Sequence, residues 1–271
     1  MIDWSKPLTV EEMYGDWDYE AAVAALERSL NPRRGSSIFD TVESLGMGPG
    51  DKVLDIGGRD GTHGLMMAER FGCRVTSVDP APASIADGQK KVAQHEYGDR
   101  VQVVLGAIED IPAPENEFDL IFSRDMMGHV ADQALGFAEC ARVLKPGGAM
   151  VVHAVHGTGL LEPDEAVWVA GATATHLHNI DSSGFEGRVV GAGFVIENLE
   201  MIGSEWYEAT QEAGVTPNYA LQLSRLRRAE KELIEELGEF AYRSMYGNAL
   251  WGVYMLIGKL ETRLYVLRLP E

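Results

Sequence analysis

Short apolar runs alternate with amphipathic stretches over residues 51–155 of the chain. The apolar runs are rich in β-branched and aromatic residues, and they predict strands at 52–56, 74–78, 101–105, 118–123 and 149–155. Helical patterns at 62–71, 84–95 and 133–144 lie between these runs. Because consecutive strands joined by helices need crossover connections, this segment predicts a parallel sheet.

The segments on either side of this core have a helical pattern for most of their length. Helices are predicted at 19–30, 36–45, 163–177 and 182–192, a strand at 194–202, and a closing strand at 263–269. A long helical insertion at about 205–260 is interrupted near 214–217, 238 and 247. We therefore predict N-terminal cap helices in residues 1–50, an α/β core in 51–204 and 261–271, and a helical lid in 205–260.

The charge of the chain limits its partners. It has 23 basic and 42 acidic residues and a net charge of -19, which repels phosphate backbones and anionic lipid. We expect neither nucleic acid nor a membrane as a partner. The longest apolar run, 249–258, is too short to cross a bilayer, and the first residues lack a signal-peptide pattern, so a cytoplasmic location is expected. Cys73 and Cys140 lie in apolar segments and are expected to be buried, reduced thiols.

The most informative motif is VLDIGGRDG at residues 53–61. A buried strand brings Asp55 to the carboxyl edge of the sheet, and the glycines that follow allow a tight turn against a ligand at a helix N-terminus. Nicotinamide enzymes also use such turns, but the spacing of these glycines does not fit G-x-G-x-x-G. A nicotinamide-dependent oxidoreductase is therefore the less favoured interpretation.

A second acid, Asp79, ends the next predicted strand in RVTSVDPAP at residues 74–82. A carboxylate at this position can accept hydrogen bonds from both hydroxyls of a ribose. It can also cap the helix that starts after Pro80. We favour ribose binding, and the pattern alone does not separate the two roles.

Two further motifs, GAIEDIPAPENEFDLIFSRDMMGHV at 106–130 and RVLKPGGAMVV at 142–152, complete an ordered series over about residues 51–155. With this series the chain resembles the class I S-adenosylmethionine-dependent methyltransferases, in particular the ubiquinone-type and sarcosine/dimethylglycine-type branch that acts on small molecules. The resemblance implies a Rossmann-like α/β fold with a seven-stranded sheet. That sheet would be mostly parallel, with one antiparallel closing strand, helices on both faces and a helical lid.

The resemblance also implies S-adenosylmethionine as cofactor and assigns its contacts. The assigned residues are Asp55, Gly57, Gly58, Gly61, Asp79, Pro80, Ala107, Ile108, Glu109 and Ser123. Asp55, Gly57 and Gly61 would contact the methionine portion, and Asp79 the ribose. Pro80 or a neighbouring residue would cover one adenine face, while Ala107 and Ile108 would line the adenine edge, chiefly through backbone groups. Ser123 would lie near the sulfonium.

Two positions depart from the family pattern. Arg59 stands where relatives usually have glycine, and Ala107 stands where an acid commonly contacts the adenine amino group. Arg59 could point to solvent or contact the cofactor carboxylate. Glu109 or a backbone carbonyl could replace the missing acid. Both pairs of alternatives remain open at the level of the sequence.

Methyl transfer from a sulfonium is an in-line displacement, so the protein must align the acceptor and exclude water. A neutral amine needs little more, whereas a phenol, carbon or hydroxyl acceptor benefits from a base. We predict His129, His156 and Tyr14 as catalytic candidates, although either histidine could instead only orient a loop. His176 and His178 are spaced two apart, which does not suit a shared metal on a helix, and no metal is expected.

Aromatic residues outside the core suggest a lid over a flat or cationic acceptor. The residues predicted to line the substrate pocket are Trp17, Trp168, Trp206, Tyr207 and Tyr246, and other aromatic cap candidates are Trp4, Tyr219, Tyr242 and Trp251. We predict transfer to a small aromatic or amine-bearing metabolite by a monomer or homodimer, with a role in secondary metabolism. The alternative is a non-methylating S-adenosylmethionine-binding enzyme or module on the same fold. Nucleic-acid methylation is disfavoured because no Asn/Asp-Pro-Pro-Tyr tetrad follows residue 123.

Overall fold

The computed structural model describes residue 3 and residues 5–271 of the chain. They form two compact units, namely the described residues up to Pro32, and Arg33–Glu271. Trp4, one of the aromatic cap candidates, lies outside the described residues. The predicted division into cap, core and lid stays a prediction.

The first unit contains two helices, α1 (Val10–Tyr14) and α2 (Tyr19–Glu27). Thr9 and Glu12 form a capping box at the start of α1, and the Asp18 side chain accepts a hydrogen bond from the backbone N–H of Ala21 at the start of α2. The backbone becomes extended at Arg28, so α2 ends three residues before the predicted limit of 30. No side chain of either helix is buried.

The second unit contains the sheet and the remaining helices. Its strands are β1 (Lys52–Ile56), β2 (Arg74–Asp79), β3 (Val101–Leu105), β4 (Phe118–Arg124), β5 (Leu144–Gly157), β6 (Val195–Gly203) and β7 (Leu260–Arg268). Its helices are α3 (Ser37–Ser44), α4 (Thr62–Phe71), α5 (Pro82–Ala93), α6 (Gln133–Val143), α7 (Pro163–Ala172), α8 (Ser182–Gly191), α9 (Glu205–Glu212), α10 (Tyr219–Arg228), α11 (Glu230–Leu237) and α12 (Glu239–Leu256).

The strand order of the sheet is β3-β2-β1-β4-β5-β7-β6. Strands β1 to β5 pair in parallel, and β7 runs antiparallel to both of its neighbours, β5 and β6. The prediction of a seven-stranded, mostly parallel sheet with an antiparallel closing strand is confirmed. The strand order reverses between β1 and β4, where open α/β sheets bind ligands beyond the carboxyl ends of their strands.

Both faces of the sheet are covered by helices, so its central strands are apolar on both sides. Phe122 of β4 stacks on Phe39 of α3, with ring centroids 5.6 Å apart. On the opposite face, Phe137 of α6 and Phe185 of α8 meet edge to face at 5.3 Å. Cys73 and Cys140 are free and buried, as predicted, and burial raises the pKa of Cys73 to about 11.

Helices α9 to α12 occupy the predicted lid. They pack with α7 around an apolar cluster of their own, separate from those on the two faces of the sheet, which includes Leu223 and Leu250. The predicted interruptions near 214–217 and at 238 are confirmed, but the one at 247 is wrong, since α12 continues through Gly247. A Cβ atom on Gly247 would lie 2.0 Å from the Ala172 carbonyl oxygen, so this glycine permits close packing on α7. An unpredicted break at Ala229 separates α10 from α11. Among the described residues, no helix combines the length and apolarity needed to span a membrane.

Strand β5 starts five residues before the predicted limit of 149, because the Lys145-Pro146-Gly147-Gly148 segment is an irregularity within the strand. Phe118 of β4 is in register with Leu144 of β5, whereas Leu120 is in register with Ala149. Gly147 has a φ of 74° at this bulge.

Candidate active site

Asp55 lies on β1, buried near the carboxyl edge of the sheet, with 1% of its surface exposed. The Ser77 hydroxyl of β2 donates a 2.8 Å hydrogen bond to its Oδ2. Burial raises the pKa of Asp55 to about 7, although the hydrogen bond from Ser77 opposes the rise. The carboxyl group therefore titrates near neutral pH.

The turn after β1 depends on its glycines for two different reasons. Gly57 and Gly61 both have a φ of 72°, in the left-handed region where a Cβ atom is unfavourable. A Cβ atom on Gly58 would lie 2.4 Å from Asp55 Oδ2, so Gly58 is needed for space. The N–H groups of Gly57 and Gly58 both donate to the Val78 carbonyl, which anchors the turn to β2.

Asp79 connects this turn to the start of the next helix. Its Oδ2 accepts a 3.0 Å hydrogen bond from the N–H of Arg59, and its Oδ1 accepts one of 2.9 Å from the N–H of Ala81, the N-cap residue of α5. Each oxygen keeps a second lone pair, so the carboxylate can still accept ribose hydroxyls. Asp79 is not the helix N-cap of the alternative, because α5 starts at Pro82 after the N-cap Ala81 and has no side-chain cap hydrogen bond, and ribose binding stays a prediction.

The other predicted cofactor residues lie at the same edge of the sheet in different environments. Pro80 is exposed, while Ala107 pairs with Asp110 in an isolated bridge. The Ile108 side chain is buried against α6, so only its backbone is available to a ligand. Glu109 is half-buried. Ser123 is fully buried, and its hydroxyl has no hydrogen-bond partner among the residues that the structure describes.

A cavity of about 970 Å³ opens beyond the ends of β4 and β5. Its wall includes the short 3₁₀ turn Met127–His129, the end of α7, and residues of α9, α10 and α12. Of the residues predicted for the substrate pocket, Tyr207 lines this cavity, and Tyr219 and Trp251 line it as well. The cavity is large enough for a small metabolite.

Asp125 lies in the cavity wall directly after β4, although the sequence analysis did not select it. It has a φ of 57°, an uncommon conformation that aspartate tolerates better than most residues. Asp125 is exposed toward the cavity, yet desolvation by the surrounding protein raises its pKa to about 6, against the opposing effects of Arg124 and His129. Its position at the carboxyl end of a central strand is the signal that could have identified it.

His129 lines the same cavity with a defined ring orientation. Its Nδ1 lies 3.0 Å from the Ala174 carbonyl oxygen, which can only accept a hydrogen bond. The neutral ring must therefore carry its proton on Nδ1, and Nε2 is left with a lone pair. This arrangement provides a proton acceptor in a site that also contains Asp125.

Three aromatic residues of the lid stand in the cavity wall with Asp125. The indole N–H of Trp251 donates a 3.0 Å hydrogen bond to the Tyr207 hydroxyl, and the rings of Tyr207 and Tyr219 lie 6.1 Å apart. Burial raises the pKa of Tyr207, and Asp125 adds to the rise. Tyr207 therefore stays protonated, and its own O–H remains able to donate.

His156 and Trp206 do not line this cavity. His156 is buried on the face of the sheet under α8, where its Nε2 lies 3.2 Å from the Tyr265 hydroxyl. Burial lowers its pKa to about 4. Trp206 is buried on the opposite face, where it stacks on His153 with ring centroids 4.7 Å apart.

The remaining predicted site residues belong to α7, α12 and the first unit. The rings of Trp168 and Tyr246 are tilted with their centroids 5.6 Å apart, and Trp168 lies outside the cavity wall. In the first unit, 81% of the Tyr14 surface is exposed, and the Trp17 indole N–H donates to the Met13 carbonyl. Within the part of the chain that the structure describes, no cluster of three or more His, Cys, Asp or Glu residues could hold a metal ion.

Comparison with known proteins identifies the core of the chain. Residues 53–148 match a family described as a methyltransferase domain. The chain is 34% identical over 151 residues to malonyl-[acyl-carrier protein] O-methyltransferase of Serratia marcescens, an alignment that covers 55% of this chain and 52% of that protein. It is 26% identical over 217 residues to 27-O-demethylrifamycin SV methyltransferase of Amycolatopsis mediterranei, with 79% and 70% covered.

The fold is also that of known methyltransferase structures. Geranyl diphosphate C-methyltransferase from Streptomyces coelicolor A3(2), solved with Mg²⁺, geranyl diphosphate and S-adenosyl-L-homocysteine, superposes with a TM-score of 0.65 at 16% identity. The match covers 86% of this chain and 78% of that one. The chain spans about a third to a half of the length of the first curated relatives that it matches. The match of residues 53–148 to a methyltransferase domain, together with the methyltransferase relatives, confirms the sequence-based recognition for this part of the chain.

Proposed function

We propose that this chain transfers a methyl group from S-adenosylmethionine to a small molecule bound in the cavity. One observation carries the proposal, which is that the glycine turn and the cavity share the end of β4. A Cβ atom on Gly57 would lie 2.6 Å from the Met126 side chain, and Met126 adjoins Asp125 in the cavity wall. A cofactor held by the turn would therefore lie next to an acceptor in the cavity.

The residues at the edge of the sheet fit this cofactor. When bound, S-adenosylmethionine supplies a methyl group activated by a sulfonium. Asp55 and the turn 57–61 would lie against its methionine portion. The Asp79 carboxylate has lone pairs available for the ribose hydroxyls, and the backbone of Ala107 and Ile108 would lie beside the adenine. The matched family favours methyl transfer over the nicotinamide alternative.

The cavity favours an amine-bearing acceptor. A carboxylate, Asp125, stands in one wall with Tyr207, Tyr219 and Trp251. Aromatic faces and a carboxylate attract an ammonium group more than a neutral phenol. An aromatic acceptor fits the same walls by stacking, and it is the second candidate.

The chain's own groups can take up the proton that the acceptor must lose. Since the pKa of Asp125 is about 6, its carboxylate is largely ionised at neutral pH and can accept a proton from an ammonium group. His129 Nε2 is a second acceptor. The aromatic lid would orient the amine and limit water, which is the main contribution a protein makes to an in-line displacement.

The first experiment is isothermal titration of the purified chain with S-adenosylmethionine and with its demethylated product. Binding of neither ligand would refute the proposed function. The second is transfer of a labelled methyl group to a panel of amines, phenols and a mixed nucleic acid sample. We expect transfer to an amine and none to nucleic acid, by a monomer or homodimer. Cofactor binding with no transfer to any acceptor would support the non-methylating alternative.

An Asp125→Asn variant tests the role of the carboxylate in that assay. We expect the rate with the amine to fall by about 100-fold or more, because removal of a general base typically costs 10²–10⁴-fold. Cofactor affinity should stay unchanged. A Trp168→Phe variant, outside the cavity wall, is the matched control and should retain the wild-type rate. An unchanged rate in Asp125→Asn would contradict the assignment.

A further inference from the structure

Arg124 ends β4 and carries a partly buried guanidinium with no acidic partner. Among the described residues, no carboxylate forms an ion pair with it, and no oxygen atom accepts a hydrogen bond from it. Several other arginines of the described residues do form ion pairs, and Arg124 differs from the exposed unpaired ones because it is partly buried.

The groups around the guanidinium do not neutralise it. Its Nη1 lies 3.4 Å from His63 Nε2, and its Cζ lies 5.4 Å from the Trp206 ring centroid. Burial lowers the pKa of His63 to about 4, so this ring is neutral at pH 7. The neighbouring Asp125 carboxylate acts on the guanidinium through space, but it forms no ion pair with it among the described residues.

The chain leaves space for this guanidinium next to the start of α3. A Cβ atom on Gly35 would lie 2.7 Å from Arg124 Nη2, so the absence of a side chain there is what lets the group fit. Burial lowers the pKa of Arg124, which means that the enclosure disfavours its charge. A partly buried cation that no carboxylate of the described residues contacts directly is costly, and a ligand anion would reduce that cost.

Arg124 lies beside the glycine turn. The parallel ladder pairs Ile56 of β1 with Ser123 of β4, so the next residues along the two strands, Gly57 and Arg124, are neighbours. The other arginine of this region, Arg59, is exposed, and its backbone N–H is directed to Asp79 on the β2 side. Of these two arginines, Arg124 is therefore the better placed for the amino-acid end of a ligand held by the turn.

We propose that Arg124 binds the carboxylate of the methionine portion of S-adenosylmethionine and makes the site selective for ligands that have this carboxylate. The inference rests on the proposed function. The family resemblance assigned no role to Arg124. With Arg124 on the carboxylate, the Arg59 side chain points to solvent, the first of its two alternatives.

The test compares two ligands that differ only in the carboxylate, S-adenosylmethionine and decarboxylated S-adenosylmethionine, by isothermal titration. Wild-type protein should bind the carboxylate form about 10- to 100-fold more tightly, the range for a hydrogen bond between charged groups. Arg124→Met should lose this preference, because its affinity for the carboxylate form falls while its affinity for the decarboxylated form stays constant. Arg124→Lys should recover part of the preference.

Two control variants identify the origin of any effect. Arg70→Met removes an arginine that pairs with Asp40 and Glu43 and should change neither affinity. Asp79→Asn should lower the affinity for both ligands by a similar factor, because both contain the ribose. Thermal denaturation of each variant shows whether it is folded.

The possible outcomes separate this inference from the proposed function. If wild-type protein binds neither ligand, the proposed function fails and the inference fails with it. A different result overturns only the role of Arg124. In that case wild-type protein binds S-adenosylmethionine, but Arg124→Met and Arg124→Lys lower the affinity for both ligands equally or for neither.

Discussion

The buried carboxyl group of Asp55 should make the stability of the protein depend on pH in an unusual direction. Its pKa is raised from an ordinary value of 3.8 to about 7, mainly by burial. Between about pH 4 and pH 7 the folded state therefore keeps a proton on Asp55 that the unfolded state releases. Stability rises with pH only where the unfolded state binds more protons, so here Asp55 lowers the free energy of unfolding as pH rises.

The size of this effect follows from the displacement of the pKa. A difference of about 3 pH units, at about 1.4 kcal/mol each, gives a loss of about 4 kcal/mol between pH 4 and pH 8. Asparagine has nearly the same shape as aspartate and does not titrate in this range. The stability of Asp55→Asn relative to wild type should therefore rise by about 4 kcal/mol over the same interval.

Urea denaturation of both proteins at about pH 4, 6 and 8, without cofactor, measures this difference. Any constant cost of the amide group cancels, because only the change with pH is used. Asp119→Asn is the matched control: burial acts to raise the pKa of Asp119, but hydrogen bonds, chiefly from Lys145, hold it below its ordinary value. Its difference from wild type should not rise with pH. A change below about 1 kcal/mol for Asp55→Asn would refute the reasoning.

Three further predictions concern the backbone and the cavity. Arg59→Gly should raise the free energy of unfolding by about 1 kcal/mol in urea, since Arg59 has a φ of 49°, and a loss of stability would contradict the cost assigned to that conformation. Gly247→Ala should lower the free energy of unfolding by at least about 2 kcal/mol, because the new Cβ atom would clash with the Ala172 carbonyl oxygen. Its control, Gly187→Ala, lies in a helix with open space around it and should be neutral or stabilising by up to about 1 kcal/mol. In methyl transfer, kcat/KM should fall below about pH 6 as Asp125 becomes protonated, and a profile that Asp125→Asn leaves unchanged would exclude this group.

Much of the fold follows from local patterns in the sequence. The limits of β1, β3 and α4 were predicted to the residue, because these elements are short, strongly patterned and bounded by polar or glycine residues. Errors arise where tertiary packing decides. The chain breaks at Ala229 without a glycine or proline, and it continues as a helix through Gly247, where contact with α7 requires a small residue. Neither event has a local signal.

The sequence predicts the position of the candidate cofactor residues in the fold. Asp55, Asp79 and Ser123 lie near the carboxyl ends of their strands, so their place at the edge of the sheet is a consequence of topology, and their contacts with a cofactor stay a prediction. The cavity wall instead combines Asp125 of the core with lid residues such as Tyr207 and Trp251, which are distant in the chain. Side-chain alternation could have separated the two β5 histidines, because positions 153 and 156 differ by an odd number and point to opposite faces.

Backbone strain locates the site by a route that does not use the family comparison. In the described part of the chain, the non-glycine residues with positive φ are Asn31, Arg59, Asn116, Asp125 and Ala174. Asparagine adopts this conformation readily, but arginine and alanine do so at a cost of about 1 kcal/mol or more. Arg59 belongs to the glycine turn, Asp125 to the cavity wall, and Ala174 supplies the carbonyl that orients His129. Strain persists where the surrounding structure imposes it, often at functional sites, and here it coincides with the proposed positions of the cofactor, the acceptor and the proton acceptors.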